Sequence, residues 1–451
     1  MNLASLTIKE LQGLLEKKEI QSSDIIDSVA EAKATRDERI GGYLSMDVDH
    51  AKQAAASSDA SGPLAGIPIA VKDLISVDGL PCGCASKILS GYIAPYDATS
   101  IKYLKQAGGI VLGRTNMDEF AMGSSNENSS IKPVHNPWDL ERIPGGSSGG
   151  SAAVVAADEA IAALGSDTGG SIRQPAALSG CVGLKPSYGR VSRFGLVAYA
   201  SSLDQIGPMT KTVEDSAILL GAISGGDTND TTCLDEPVPD YAGALNENIK
   251  GMKLGMPKEY FAEGMDASVR SAVEAAAKQY EDLGAEIVEV SMPHTEQAVG
   301  VYYIIATAEA SANLARFDGV RYGHRSPDAS NLAEQYAKSR AEGFGDEVKL
   351  RILLGTYVLS SGYYDAYYVR AQKLRTLIRQ DFTQAFEKVD ALITPTTPSP
   401  AFKVGEKVSN PLEMYLADIY TISANLAGIC GISLPCGFAK PTDGGDKELP
   451  I

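Results

Sequence analysis

The stretch that decides the fold begins as Pro144-Gly-Gly-Ser-Ser-Gly-Gly-Ser151 and resumes as Gly165-Ser-Asp-Thr-Gly-Gly-Ser171. Two apolar runs, 152–157 and 160–164, separate these glycine- and serine-rich loops. A low-complexity linker has no such runs, so the pattern favours tight loops packed on a hydrophobic core. We therefore expect both loops to lie deep inside the molecule.

Segments of strand and helix character alternate on either side of these loops. A helix is predicted over 100–106, and a second one is predicted to begin at its capping residue Asp266. The strands are predicted at 67–71, 110–112, 252–256, 286–290 and 391–393. This alternation predicts an α/β fold in which a mixed central sheet is covered by helices on both faces.

The domain organisation is predicted from a change in residue pattern near residue 60. Residues 1–60 are polar and helical in pattern, whereas short apolar runs separated by glycine and proline begin at Gly62. We predict an N-terminal helical segment, 1–60, that packs on one large α/β domain, 61–451. A chain of 451 residues is long enough to bury a large core without disulfide bonds.

Composition excludes several classes of function. The net charge of −17 should repel polyphosphate, so any nucleic acid is expected to be held mainly by a partner. The six cysteines and four histidines are scattered and form no zinc-binding motif, so no metal site is predicted in this chain. No run of 18 uncharged apolar residues occurs, and the cytoplasm is the expected compartment.

The two glycine-rich loops are better suited to acyl transfer than to phosphate binding. The first loop lacks the lysine of a phosphate-binding loop. Glycines beside Ser171 allow backbone N–H groups to converge on a developing oxyanion. A nucleophilic serine needs a base, and no histidine lies in a nucleophile-elbow motif. Lys72 directly follows the apolar run 67–71, where burial would lower its pKa and free a neutral amine.

Taken together, these motifs resemble those of the amidase signature family, and they occur in order along most of the chain. The matching segments are GIPIAVKD (66–73), GRTNMDEFAMG (113–123), PGGSSGGSAA (144–153), GSDTGGSIRQPAALSGCVGLKPSYGRVSRFG (165–195) and SLDQIGPM (202–209). The resemblance implies a Ser–cis-Ser–Lys triad: Ser171 as nucleophile, Ser147 after a cis Gly146–Ser147 bond as proton relay, and Lys72 as base. It also implies an oxyanion site at Thr168, Gly169 and Gly170.

Three later segments resemble the glutaminase branch of this family, the glutamine-hydrolysing subunits of tRNA-dependent amidotransferases. They are 302–323, 351–375 and 415–437. The resemblance implies that Arg351 binds the α-carboxylate of glutamine, that Asp418 binds its α-ammonium group, and that Tyr302 lines the pocket. It further implies a heterotrimer with the amidotransferase B and C subunits, in which the B subunit uses ammonia, ATP and Mg²⁺ to convert Glu-tRNA(Gln) to Gln-tRNA(Gln). No cofactor is expected in this chain.

Two alternatives remain open from the residues alone. A stand-alone amidase acting on small acyl or aryl amides would share the triad but would not need opposite charges for a zwitterion. A non-catalytic scaffold within a complex is the other alternative, and the intact Lys72, Ser147 and Ser171 argue against it. Members of the family continue for a few dozen residues beyond the position of Ile451, so we expect a truncated C-terminal end.

Overall fold

A computed structural model describes residues 1–57, 61–246, 248–261, 264–408 and 410–451. The described residues form fourteen α-helices: α1 Ile8–Glu16, α2 Ser22–Ile40, α3 Val48–Ser57, α4 Thr99–Gln106, α5 Gly149–Ala156, α6 Arg173–Ser179, α7 Val213–Ile223, α8 Ala267–Asp282, α9 Ala298–Asn313, α10 Leu332–Gly343, α11 Asp346–Val358, α12 Arg370–Phe386, α13 Pro411–Tyr415 and α14 Ile422–Ala427. They form twelve strands: β1 Tyr43–Met46, β2 Pro68–Lys72, β3 Ile110–Thr115, β4 Ala162–Asp167, β5 Val182–Lys185, β6 Gln205–Thr210, β7 Lys253–Pro257, β8 Glu286–Val290, β9 Ala391–Leu392, β10 Gly431–Ser433, β11 Phe438–Ala439 and β12 Leu449–Pro450.

The central sheet has seven strands in the order β1-β3-β2-β4-β6-β5-β10. Strand β2 runs parallel to both β3 and β4, whereas the other neighbouring pairs are antiparallel. The predicted mixed sheet is therefore confirmed. A separate parallel sheet, β8-β7-β9, contains the predicted β-α-β unit, with Asp266 capping α8 through the backbone N–H of Ser268.

Alternate residues of β2 show that the sheet is covered on both faces. Ile69 and Val71 belong to a core cluster that also contains apolar residues of α1, α2, α4 and α7. Ala70 lies in a different cluster, with Ala152 and Val155 of α5. Since successive side chains of a strand point to opposite faces, the two clusters lie on opposite sides of the sheet.

The N-terminal segment departs from its prediction as a purely helical region. Tyr43–Met46 is strand β1, the antiparallel edge neighbour of β3, where Tyr43 pairs with Thr115. Four residues are too few to show a period of two, and the partner strand lies far along the chain, so pairing and not local propensity selects this strand. The domain boundary at residue 60 lies outside the described residues, and the division into 1–60 and 61–451 stays a prediction.

Among the helices that the structure describes, none is both long enough and apolar enough to cross a membrane.

Candidate active site

Lys72 ends strand β2 with its side chain completely buried. Its Nζ lies 2.8 Å from Ser147 Oγ, 2.8 Å from Ser148 Oγ and 3.0 Å from Ser166 Oγ. The topology explains this meeting, because β2 and β4 are parallel neighbours whose C-terminal ends share one edge, and Ser166 lies at that end of β4. The glycine-rich loop before α5 brings the other two serines over the same edge.

The loop reaches Lys72 through a cis peptide bond between Gly146 and Ser147. The carbonyl oxygen of Ser147 accepts a hydrogen bond from the backbone N–H of Asp118 at 3.2 Å. On the other side of this bond, the Gln174 side chain accepts from the N–H of Gly146 at 3.0 Å. Both ends of the unusual peptide are therefore fixed by buried partners.

Burial lowers the pKa of Lys72 to about 7, against the opposing effect of the carboxylates of Asp118, Asp167 and Asp204. Near neutral pH a large fraction of this lysine is therefore a neutral amine with two N–H donors and one lone pair. The three serine hydroxyl groups around Nζ suit the neutral amine, because a hydroxyl group can both donate and accept a hydrogen bond. The position can thus serve as a base, which an exposed lysine cannot do at this pH.

The hydroxyl of Ser148 has a defined direction within this cluster. It donates to the carbonyl oxygen of Ser166 at 3.1 Å, so it must accept from Lys72. Only Ser147 and Ser166 then have a hydroxyl hydrogen free to point at the lone pair of Nζ. Of these two, Ser147 lies in the loop that contacts Ser171, since the N–H of Ser148 donates to the Ser171 carbonyl at 3.1 Å.

Ser171 lies at the end of the second glycine-rich loop, two residues before α6, and is 8% exposed. Among the residues described, its hydroxyl has no hydrogen-bond partner, and the backbone N–H groups of 168–171 donate to none. Gly170 has a φ of +146°, a conformation that side chains disfavour. A serine hydroxyl beside several unpaired N–H donors matches the geometry expected of an oxyanion site.

Asp167 and Arg173 hold this loop in place. The Arg173 side chain donates to both carboxylate oxygens, with Nε at 3.0 Å and Nη2 at 3.1 Å. Asn425 donates to the same carboxylate at 2.8 Å, and the N–H of Ile172 at 3.2 Å. Burial alone would raise the pKa of Asp167, but Arg173 and these bonds lower it to about 2, so the carboxylate stays charged.

Arg351 lies on α11 and is 3% exposed. Its Nε donates to Glu347 Oε1 at 2.6 Å, and its Nη1 donates to the hydroxyl of Tyr199 at 2.7 Å. The guanidinium also lies 5.3–5.6 Å from the ring centres of Tyr199, Tyr303 and Tyr415. A permanent cation is thus held inside a box of aromatic rings.

Tyr302 and Asp418 lie against the loop 168–171. A Cβ atom added to Gly169 would lie 2.7 Å from Tyr302 Cζ, and one added to Gly170 would lie 3.4 Å from Asp418 Oδ1. Asp418 Oδ2 accepts a hydrogen bond from Ser124, whereas Oδ1 is buried without a partner among the described residues. Burial raises the pKa of Asp418 to about 7, since an unpaired buried carboxylate is costly.

The structure thus brings together every residue that the sequence singled out. Sequence reasoning missed a second group, whose members support the first through hydrogen bonds or ring contacts: Asp118, Ser124, Ser148, Ser166, Gln174, Tyr199, Asp204, Tyr303, Glu347 and Tyr415. Ser148 and Ser166 lie in the two glycine-rich loops, and Asp118, Gln174 and Asp204 lie in other segments that carry the family resemblance. Tyr199 and Glu347 lie in none of these segments, so no sequence signal pointed to them. Across the described parts of the chain, no group of three or more His, Cys, Asp or Glu side chains is arranged to hold a metal ion.

The mixed sheet and the lysine–serine cluster define the class of protein. The family model described as Amidase matches residues 24–451, and the chain belongs to that family.

Similar proteins point to one branch of the family. The A subunit of glutamyl-tRNA(Gln) amidotransferase from Methylacidiphilum infernorum is 60% identical, over 100% of this chain and 90% of that protein. The protein of the same name from Akkermansia muciniphila is 58% identical, over 99% of this chain and 94% of that protein. The crystal structure of the glutamyl-tRNA(Gln) amidotransferase A subunit from Thermotoga maritima superposes with a TM-score of 0.84 at 43% identity, and the match covers 100% of this chain and 90% of that one.

Proposed function

We propose that this chain is the glutaminase subunit of a tRNA-dependent amidotransferase. In this proposal it hydrolyses the side-chain amide of glutamine and delivers the ammonia to a partner protein. Relatives that are 55–60% identical to it are named as the A subunit of glutamyl-tRNA(Gln) amidotransferase, which supports the assignment.

The observation that carries the proposal is that the site beside the loop of Ser171 contains both a buried arginine, Arg351, and a buried carboxyl group, Asp418. Free glutamine has an α-carboxylate and an α-ammonium group, and both must meet opposite charges when they leave water. Arg351 keeps N–H groups beyond those bound to Glu347 and Tyr199, and Asp418 Oδ1 is an acceptor without a partner among the described residues. Small aryl or acyl amides lack both charges and would give no charged partner to the remaining N–H groups of Arg351 or to Asp418 Oδ1.

The first chemical step forms a tetrahedral intermediate. Ser171 Oγ attacks the amide carbon of glutamine, its proton passes to Ser147 Oγ, and the proton of Ser147 passes to the lone pair of Lys72 Nζ. The carbonyl oxygen gains the negative charge, and the N–H groups of Thr168, Gly169, Gly170 and Ser171 stabilise it. Since Lys72 has a pKa of about 7, it accepts this proton near neutral pH.

The second step releases the two products. Protonated Lys72 returns its proton through Ser147 to the leaving nitrogen, and the C–N bond breaks to give ammonia. Water then attacks the ester carbon of the acyl-enzyme, and the same relay removes the water proton and returns a proton to Ser171 Oγ. Glutamate leaves, and the serine hydroxyl is regenerated, so that atoms and protons balance over the cycle.

The partners follow from the fate of ammonia. We propose a cytoplasmic heterotrimer with the amidotransferase B and C subunits. The B subunit uses the ammonia with ATP and Mg²⁺ to convert Glu-tRNA(Gln) to Gln-tRNA(Gln), and the C subunit completes the assembly. A net charge of −17 supports leaving most tRNA contacts to the B subunit. This chain itself needs no cofactor in the proposed reaction.

The test is co-expression with the B and C subunits, followed by amidation of Glu-tRNA(Gln) with glutamine or with ammonium chloride as nitrogen donor. We expect Ser171→Ala to abolish glutamine-dependent amidation and to leave ammonia-dependent amidation at the wild-type rate, because only the nucleophile is lost.

Two outcomes would contradict the proposal. A wild-type chain that hydrolyses neutral aryl amides but not glutamine would indicate a stand-alone amidase. Full glutamine-dependent activity of Ser171→Ala would indicate a scaffold whose chemistry is elsewhere.

A further inference from the structure

The guanidinium of Arg351 is held from two sides. Its Nε donates to Glu347 four residues earlier on α11, and its Nη1 donates to Tyr199, which belongs to a distant part of the chain. A guanidinium has five N–H donors, so three of them remain for a substrate carboxylate. The hydroxyl of Tyr199 thereby determines which way the free donors of Arg351 point.

Tyr199 is also joined to the oxyanion loop. Its backbone N–H donates to Asp204 Oδ2 at 2.9 Å, and the hydroxyl of Thr168 donates to Asp204 Oδ1 at 2.7 Å. All of these residues are nearly inaccessible, with Tyr199 and Thr168 each 1% exposed and Asp204 2% exposed. Because these groups are buried away from water, few other hydrogen-bond arrangements compete with the one observed.

We propose that Tyr199 is a positioning residue that sets the specificity of the site, because it orients Arg351 through its side chain and is fixed to the oxyanion loop through Asp204. This inference rests on the proposed glutaminase function. Recognition of the α-carboxylate and placement of the reacting carbonyl then depend on one connected series, Arg351–Tyr199–Asp204–Thr168. Binding energy from the remote carboxylate is used to hold the amide against the oxyanion donors.

The experiment compares two substrates with the full chain. Glutamine has the α-carboxylate, whereas 4-aminobutyramide keeps the ammonium group and the amide but lacks the carboxylate. Tyr199→Phe removes one oxygen and keeps the ring beside Arg351. We expect kcat/KM for glutamine to fall about tenfold or more, with 4-aminobutyramide changed less than about twofold.

Tyr188→Phe is the matched control, since it also removes a hydroxyl with a hydrogen bond, to the Ser201 carbonyl at 2.8 Å, outside the series. It should leave the ratio of the two substrates unchanged. A parallel loss on both substrates in Tyr199→Phe would mean that Tyr199 only supports the fold, and an unchanged ratio would overturn the inference.

Thr168→Val tests the other end of the series. It removes the hydroxyl bonded to Asp204 and keeps the backbone N–H, so kcat should fall about tenfold on both substrates, while Thr168→Ser should retain most activity. Wild-type kinetics in Thr168→Val would overturn the link through Asp204. If the wild-type chain used both substrates equally, the proposed function itself would fail, whereas a glutamine preference untouched by Tyr199→Phe would overturn only this inference.

Discussion

Two buried lysines of the central sheet differ in their hydrogen-bond partners, and this difference indicates which of them can act as a base. Lys72 and Lys185 both end strands, both are at most 1% exposed, and burial lowers the pKa of each to about 7. Lys72 faces three hydroxyl groups, whereas Lys185 Nζ donates to the carbonyl oxygens of Pro186 and Ile429. A carbonyl has no proton to give, so only Lys72 can exchange one with its partners.

The comparison shows that a low lysine pKa alone does not identify a base. Desolvation supplies the neutral amine in both places, and the chemistry of the contacts decides its use. The carbonyl partners of Lys185 fix the amine between β5 and the segment before β10.

The largest effect is expected from Lys72→Arg. The guanidinium keeps a positive charge but cannot release its proton at working pH, so glutamine hydrolysis should fall about 10³-fold or more, nearly as far as in Lys72→Ala. The rates of acyl-enzyme formation in the two variants provide the measurement. Retention of more than about a tenth of the wild-type rate in Lys72→Arg would assign the lysine a purely electrostatic role.

Lys185→Met extends this test to the second lysine. It should lower the midpoint of thermal unfolding, because the carbonyl oxygens of Pro186 and Ile429 lose their donor. The fraction that remains folded should still acylate Ser171. A loss of acylation in well-folded Lys185→Met that equals the loss in Lys72→Arg would remove the distinction between the two lysines.

The next largest effect is expected for the residues proposed to bind the charged groups of glutamine, which lie outside the lysine–serine cluster. Arg351→Ala and Asp418→Ala each leave one charge of glutamine unpaired, at a cost of roughly 2–5 kcal/mol, or about 30- to several-thousand-fold in kcat/KM. Acylation by a reactive, uncharged ester should survive, since Lys72 and its serines are unchanged. Equal losses on glutamine and on the ester would mean that these residues maintain the fold.

The smallest effect is the pH dependence near neutrality. Lys72 must be neutral to act as a base, and Asp418 must be charged to bind an ammonium group. Both have a pKa of about 7 that must be crossed upwards, so kcat/KM for glutamine should rise with pH through this range. Each group costs about tenfold one pH unit below its pKa, and the logarithmic profile should approach a slope of two.

Asp418→Asn separates the two limbs of this profile. Because the amide does not titrate, the slope should fall to one, and the remaining limb belongs to Lys72. Lys185→Met should keep both limbs. A profile that is flat between pH 6 and 8 in the wild-type chain would show that Lys72 is not the group that accepts the proton.

The sequence pointed more directly to the candidate site residues than to the residues that surround them. Ser147 and Ser171 lie in short glycine-rich motifs that carry the family resemblance, and the fold follows from alternating strands and helices. Tyr199 and Arg351 meet although 152 residues separate them, and neither type of residue is unusual at its position. Strand β1 was missed for the same physical reason, since its partner β3 is distant in sequence. Lys72 and Lys185 are both strand-end lysines, and only the folded contacts distinguish them.

The edge strand β10 has a consequence for how the chain is made. It pairs with β5 only after about 250 further residues have been added, which takes roughly 12 to 50 seconds at the usual rates of translation. During that interval the outer edge of β5 has backbone groups without their final partner, on a nascent chain whose two glycine-rich loops are already synthesised. Ribosome-associated chaperones that bind extended segments therefore have a defined period of action on this edge, and slowing translation between β5 and β10 should lengthen their contact with the nascent chain.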